Sequence, residues 1–184
     1  MWVVKIGGSL YDSPQLEAWL RVIAAGEHPA ILVPGGGPFA DQVRVAQQRW
    51  QFDDATAHSM ALCAMDQYGL LMSGIEERLQ TAADPQQLKQ IVADGHSAVW
   101  LPAAADPDVE PSWRVTADSL ALWLAAKVGA EGVLLVKSAP LTTAGSDLLD
   151  AAFDEFQRQW GGKVRLAHRD GSSDWPALSG SAFG

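Results

Sequence analysis

Only one cysteine, Cys63, occurs in 184 residues, so no disulfide can close within the chain and a cross-linked secreted scaffold is excluded. Basic residues are also scarce. Lysine and arginine number 13 against 22 acids, a formal charge of −9, which argues against general binding to nucleic acid or anionic membrane, since both reward positive charge. No apolar run is long enough for a signal peptide or a membrane helix, and the expectation is a cytoplasmic protein. The four histidines, His28, His58, His96 and His168, and Cys63 show no metal-ligand spacing. No Gly-Lys-Ser/Thr closes a glycine loop, no spaced third glycine completes a dinucleotide fingerprint, and no Gly-x-Ser-x-Gly is present. These absences exclude the common phosphate-loop nucleotidases and argue against nicotinamide cofactors and serine hydrolases.

What is present is glycine in two clusters, each closing an apolar run. Lys5-Ile6-Gly7-Gly8-Ser9 follows the run from Met1 to Ile6, and Pro34-Gly35-Gly36-Gly37 follows Ala30 to Val33. Glycine lets the main chain approach a ligand closely, and a helix starting just beyond points its positive end at the same place, so both clusters read as phosphate cradles. Lys5 adds a cation beside them.

The periodicity predicts strands at 1–6, 30–33, 98–101, 132–136 and 163–167. Between them, Ser13-Pro14, Gly37-Pro38, Asp53-Asp54, Asp84-Pro85 and Thr116 open helices, and a last helix is expected over about 147–160. Asp106 to Pro111 is a proline-rich acidic loop, too short for a linker. With 48% hydrophobic residues, the length suits a single domain over 1–184. Alternating strands and helices predict an α/β fold, a three-layer αβα sandwich with a mainly parallel central sheet. Ligands of such sheets bind beyond the strands' carboxyl ends, where Lys5, Gly7, Gly35, Leu101 and Lys137 converge. The eight tryptophans follow no fixed period and read as packing residues.

At Lys5-Ile6-Gly7-Gly8-Ser9, Pro34-Gly35-Gly36-Gly37-Pro38, Thr116-Ala117-Asp118-Ser119 and Leu135-Val136-Lys137, in this order and spacing, the chain resembles the amino acid kinase family. The likeness extends to His168-Arg169-Asp170-Gly171 and the closing glycine-serine segment at 178–184. Within the family, Gly37-Pro38-Phe39-Ala40-Asp41-Gln42-Val43-Arg44, His58-Ser59-Met60-Ala61 and Ala64-Met65-Asp66-Gln67-Tyr68-Gly69 look most like the small kinases of methanofuran biosynthesis. Those convert aminomethylfuran phosphate to its diphosphate.

The resemblance implies transfer of the γ-phosphoryl group of ATP, with magnesium carried by the nucleotide, to a small phosphorylated substrate. Lys5 would lie across the transferring group, Lys137 would reach the nucleotide phosphates, and Asp118 would hold the lysines in place. Gly7, Gly8 and Ser9 would bind the ATP phosphates, and Gly35, Gly36 and Gly37 the acceptor phosphate. Thr116 and His58 join the substrate side, while Asp41 and Arg44, one helical turn apart, suit each other as an ion pair. Lys163 and Arg169 read as solvated charges. Relatives generally self-associate, which implies a homo-oligomer. Many carry an Asp-Gly turn after the second lysine, whereas Lys137 is followed by Ser138-Ala139-Pro140-Leu141-Thr142-Thr143. Another acceptor (a nucleoside monophosphate, an isoprenoid phosphate or a carboxylate) and a non-catalytic nucleotide- or anion-binding member stay open as alternatives.

Overall fold

The computed structural model describes residues 1–25, 27–139 and 149–179. Six strands form one sheet: β1 (Trp2–Ile6), β2 (Ala30–Pro34), β3 (Gln80–Ala82), β4 (Ala98–Trp100), β5 (Gly132–Lys137) and β6 (Lys163–His168). Their order is β3-β4-β2-β1-β5-β6, and every pairing is parallel. Because β1 and β2 are buried along their whole length, both faces of the sheet must be covered by helices.

Those helices start where the polar punctuation places them. Ser13 accepts the Gln15 N–H ahead of α1 (Pro14–Ala24), Asp53 the Thr56 N–H ahead of α3 (Asp54–Ile75), and Asp84 those of Gln86 and Gln87 ahead of α4 (Pro85–Ala93). Between α1 and α3 runs α2 (Gly37–Trp50), which stops where Gln51 turns left-handed at φ 56°. The second half adds α5 (Ala117–Val128), α6 (Phe153–Trp160) and the short α7 (Trp175–Ser179).

Strand alternation divides the interior into two cores. Val3, Ile31, Val33, Val133 and Leu135 face α5. Val4, Ile6, Leu32, Leu134 and Val136 face the other way, against Trp19 of α1 and Tyr68 of α3. Lys5 has the parity of Val3, and Lys137 that of Leu135. Both lysines therefore belong to the face that α5 covers.

The structure departs from the sequence reading at three places. Strand β3 was not expected, because Gln80-Thr81-Ala82 is short and mostly exposed and lies at the sheet edge, where pairing rather than burial defines a strand. The last long helix begins at Phe153, and residues 149–152, expected within it, are not helical. Before it, the Asp150 carboxylate and the Ala152 N–H are committed to the segment around Arg114–Ser119, which holds the chain out of a helix. Thr116 occupies the N-cap position of α5, but its side chain does not cap; its hydroxyl donates to Asp150 instead. Residues 140–143, the expected helix start at 147 and the closing segment at 180–184 lie outside the described residues.

Candidate active site

β1 carries its ladder one residue beyond its end on each side. The Gly7 N–H donates to the Val136 carbonyl at 3.1 Å, and the Gly35 N–H to the Ile6 carbonyl at 2.9 Å. These two amides, expected among the phosphate donors, are thus committed to the main chain. What Gly7 and Gly35 contribute is closeness: a Cβ on Gly7 would stand 2.9 Å from the Val136 oxygen. The N–H groups of Gly8, Ser9, Gly36 and Gly37 have no acceptor among the described residues. Gly37, at φ +52°, starts α2 in a conformation that favours glycine. Four unpaired amides at the starts of a turn and a helix form a ready anion cradle.

Behind the cradle lies a buried charge cluster. Lys5 Nζ is 2.9 Å from Asp118 Oδ1, and Lys137 Nζ donates to Asp118 Oδ2 at 2.5 Å. The reason is geometric: Lys137 extends β5 two residues past Leu135, the partner of Lys5. Both ammonium groups therefore emerge on the face covered by the first turn of α5, where Asp118 sits. Lys5 and Asp118 are 7% and 4% exposed, so each charge depends on the others to offset its lost hydration. Burial, the largest influence, pushes the Asp118 carboxyl up, yet the charges of Lys5 and Lys137 together hold it below its ordinary value. Lys137 is lowered to about 8, by burial first and by the Lys5 charge second, with Asp118 opposing. Two cations against one carboxylate leave a net positive charge that suits a polyanion.

In front of the cradle opens a cavity of about 460 Å³. Lys5, Gly8, Ser9, Gly35, Gly36 and Gly37 are among the residues that line it. His58, Met65, Trp113 and Thr116 line it too, as do Arg44 and the acids Asp12, Asp41 and Asp54, whereas Gly7, Asp118 and Lys137 are not on its surface. Burial holds His58 below its ordinary pKa against the opposing charge of Asp106, so its ring is neutral at neutral pH and adds no cation. Trp113 packs against the cluster of Ala40, Val43, Ala57 and Ala64, as expected of the tryptophans, and also lines this cavity. Its Nε1 donates to Gln47 Oε1 at 2.7 Å, and the Arg44 guanidinium lies 4.2 Å from its ring centroid. Arg44 also meets Asp41 at 3.0 Å, the pairing their spacing suggested.

On the Lys137 side, Ser9 Oγ and Ser138 Oγ are 2.6 Å apart. Arg169 is half-buried rather than solvated. Its N–H donates to the Lys137 carbonyl at 2.8 Å, its carbonyl accepts from Trp19 Nε1 at 2.7 Å, and its Nε is buried with no partner among the described residues. Lys163 is exposed. The sequence reading missed Trp113, Ser138 and Asp150. Asp150 gave no signal, since an aspartate amid Leu148, Leu149 and Ala151 matches no motif. No group of three or more His, Cys, Asp or Glu among the described residues is disposed to hold a metal ion, and no described helix is long and apolar enough to cross a membrane.

Residues 1–83 match the model of the amino acid kinase family. The [5-(aminomethyl)furan-3-yl]methyl phosphate kinase of Methanocaldococcus jannaschii is 29% identical over 171 residues, a span of 89% of this chain and 72% of that protein. Among solved structures, the uridylate kinase of Archaeoglobus fulgidus superposes with a TM-score of 0.70 at 13% identity, covering 92% of both chains. The UMP kinase of Ureaplasma parvum gives 0.72 at 12% identity, covering 97% of this chain and 95% of that one. At such low identity these two likenesses speak to the fold, a parallel sheet layered by helices on both sides.

Proposed function

We propose that the chain is a member of the amino acid kinase family, a reading supported by the match over residues 1–83 and by the 29% identity to an aminomethylfuran phosphate kinase, and that it transfers the γ-phosphoryl group of ATP to a small phosphorylated acceptor, aminomethylfuran phosphate, giving the diphosphate. The observation that carries this reading is Asp118 held between Lys5 and Lys137, directly behind a cradle of unpaired glycine amides. Bringing two polyanions together is the main obstacle to phosphoryl transfer, and positioned cations and N–H donors are what lower it.

In this reading the cavity holds the acceptor, its phosphate on the amides of Gly36 and Gly37 and its ring toward Trp113, His58 and Met65. The volume suits a small heterocycle. Gly8 and Ser9 line the same cavity, so donor and acceptor phosphates meet there. A phosphate oxygen of the acceptor attacks the γ-phosphorus; that new P–O bond forms as the bond to the β-phosphate oxygen breaks, and ADP leaves with the electron pair. Lys5 meets the charge on the group in flight, Lys137 meets the charge on the leaving side, and Asp118 keeps both ammonium groups from swinging apart. The residues fit a magnesium–nucleotide complex in one respect: Lys5 and the unpaired amides offer charge and donors to phosphates, which would themselves carry the metal. Magnesium supplies Lewis-acid charge neutralisation when bound.

The reading extends to a cytoplasmic protein that self-associates, in keeping with the lone, exposed and unpaired Cys63 and with exposed apolar residues such as Trp50. The test is direct. Purified protein with ATP, magnesium and a panel of acceptors is expected to release ADP with aminomethylfuran phosphate. Turnover with a nucleoside monophosphate in its place reassigns the acceptor, and calorimetric ATP binding without turnover on any acceptor overturns the enzymatic reading.

A further inference from the structure

Asp150, ahead of α6, meets the start of α5 on either side of Asp118. Asp150 Oδ2 accepts from the Thr116 N–H at 2.8 Å, the Thr116 hydroxyl at 2.9 Å and the Ser119 N–H at 3.0 Å, and its Oδ1 accepts from the Ser119 hydroxyl. Two residues on, the Ala152 N–H donates to the Arg114 carbonyl at 3.1 Å. One carboxylate, 31 residues beyond Ser119, therefore does the work of an N-cap for α5, whose own N-cap side chain makes no capping bond.

Asp118 is enclosed by this arrangement in sequence, with Thr116 on one side and Ser119 on the other. Among the described residues its carboxylate is held by the two lysine ammonium groups alone. Its location is set by the first turn of α5, and that turn is fixed by Asp150. Without Asp150, donors on part-buried Thr116 and buried Ser119 lose their acceptor and the turn carrying Asp118 frays.

We propose that Asp150 is a positioning residue of the transfer site: by capping α5 from its place ahead of α6, it holds Asp118 where it can orient both lysines. The part played by those lysines in transfer rests on the reading above, whereas the positional claim stands on the geometry. A positional role makes the carboxylate replaceable by an amide. In Asp150→Asn the remaining oxygen can accept the three bonds now made by Oδ2, while the amide donates to the Ser119 hydroxyl.

The experiment compares the wild-type protein with Asp150→Ala and Asp150→Asn, each corrected for folded fraction by circular dichroism. In Asp150→Ala, kcat is expected to fall about tenfold or more with KM for ATP and for aminomethylfuran phosphate within about threefold, the pattern of a lost transition-state contact. Asp150→Asn is expected to stay within about threefold of wild type in kcat. Should Asp150→Ala not fold, Ser119→Ala removes one hydroxyl bond and is expected to lower kcat about twofold to threefold. A second readout needs no substrate: the NMR titration of the Lys137 ammonium is expected to move by about half a unit or more in the alanine variants and to return in Asp150→Asn. Unchanged kcat per folded site with an unchanged titration overturns the inference, as does equal damage from the alanine and asparagine substitutions. A wild-type protein that turns over no acceptor overturns the kinase reading instead, and the titration then decides the role of Asp150 alone.

Discussion

A Cβ placed on Gly35 would stand 2.5 Å from the main-chain nitrogen of Gly8 and 3.0 Å from its Cα: the two glycine clusters touch backbone to backbone. This contact sets the unpaired amides of the two clusters side by side, and it leaves no room for a side chain, because the atoms in the way are main chain. Gly35→Ala is therefore expected to force the ends of β1 and β2 apart and to cost about 1–3 kcal/mol of stability, read as a lowered urea midpoint, together with most of the activity. A variant with unaltered midpoint and turnover would show that the clusters are separable.

Lys5→Ala is expected to reduce kcat by about 10²–10³, the usual effect of deleting one contact to developing charge. The fold should survive, although Lys5 is buried within β1 rather than ending it, because Asp118 keeps its bond to Lys137. Asp118→Asn is the harsher change. It leaves two buried ammonium groups facing each other, and a loss on the order of 3 kcal/mol is expected. Thermal melts and initial rates on the two variants check both statements, and they fail if Lys5→Ala turns over normally or if Asp118→Asn melts with the wild type.

Lys137, with its pKa lowered to about 8 from 10.5, gives activity and stability opposite slopes in alkali. Protonated lysine neutralises phosphate, so kcat/KM should fall as pH rises through about 8. Between about 8 and 10.5 the folded lysine has lost its proton while the unfolded one retains it, so the unfolded state binds more protons and this group's contribution to stability rises across that window. Lys137→Arg keeps its charge at these pH values and should abolish the alkaline fall, at reduced kcat. A wild-type profile flat to pH 10 would contradict the assignment.

Trp113→Ala tests the outer wall of the cavity. Removing the ring that Arg44 covers and Gln47 holds should raise KM for the acceptor about tenfold, with KM for ATP unchanged. An equal rise in both would place Trp113 in general packing instead.

Much of this architecture was legible in the sequence because it is written in short-range chemistry. Ser13-Pro14, Asp53-Asp54 and Asp84-Pro85 start helices through a side chain and its own neighbours, and five of the strands are apolar enough to declare themselves. The pairing of Asp118 with the lysines followed from a resemblance whose four segments keep their order. What escaped depends on distant partners. Strand β3 is polar and exists only because β4 lies beside it. Asp150 caps a helix whose N-cap residue, Thr116, lies 34 residues earlier, and the Gly7 and Gly35 amides are taken by Val136 and Ile6. Trp113 reads as one more packing residue until the cavity beside it is seen.

The sheet order also has a consequence in time. Strand β1 lies between β2 and β5, so Trp2 faces Ala30 on one side and Gly132 on the other. The first pairing closes a short loop and the second a very long one, and long closures are slow to form. A chain emerging from the ribosome can zip β1 to β2 and bring the two glycine clusters together early. It cannot seat Lys137 beside Asp118 until β5 has been made. The charge cluster is thus completed only after β5 has been made, and a nascent chain lacking β5 has Lys5 and Asp118 without Lys137.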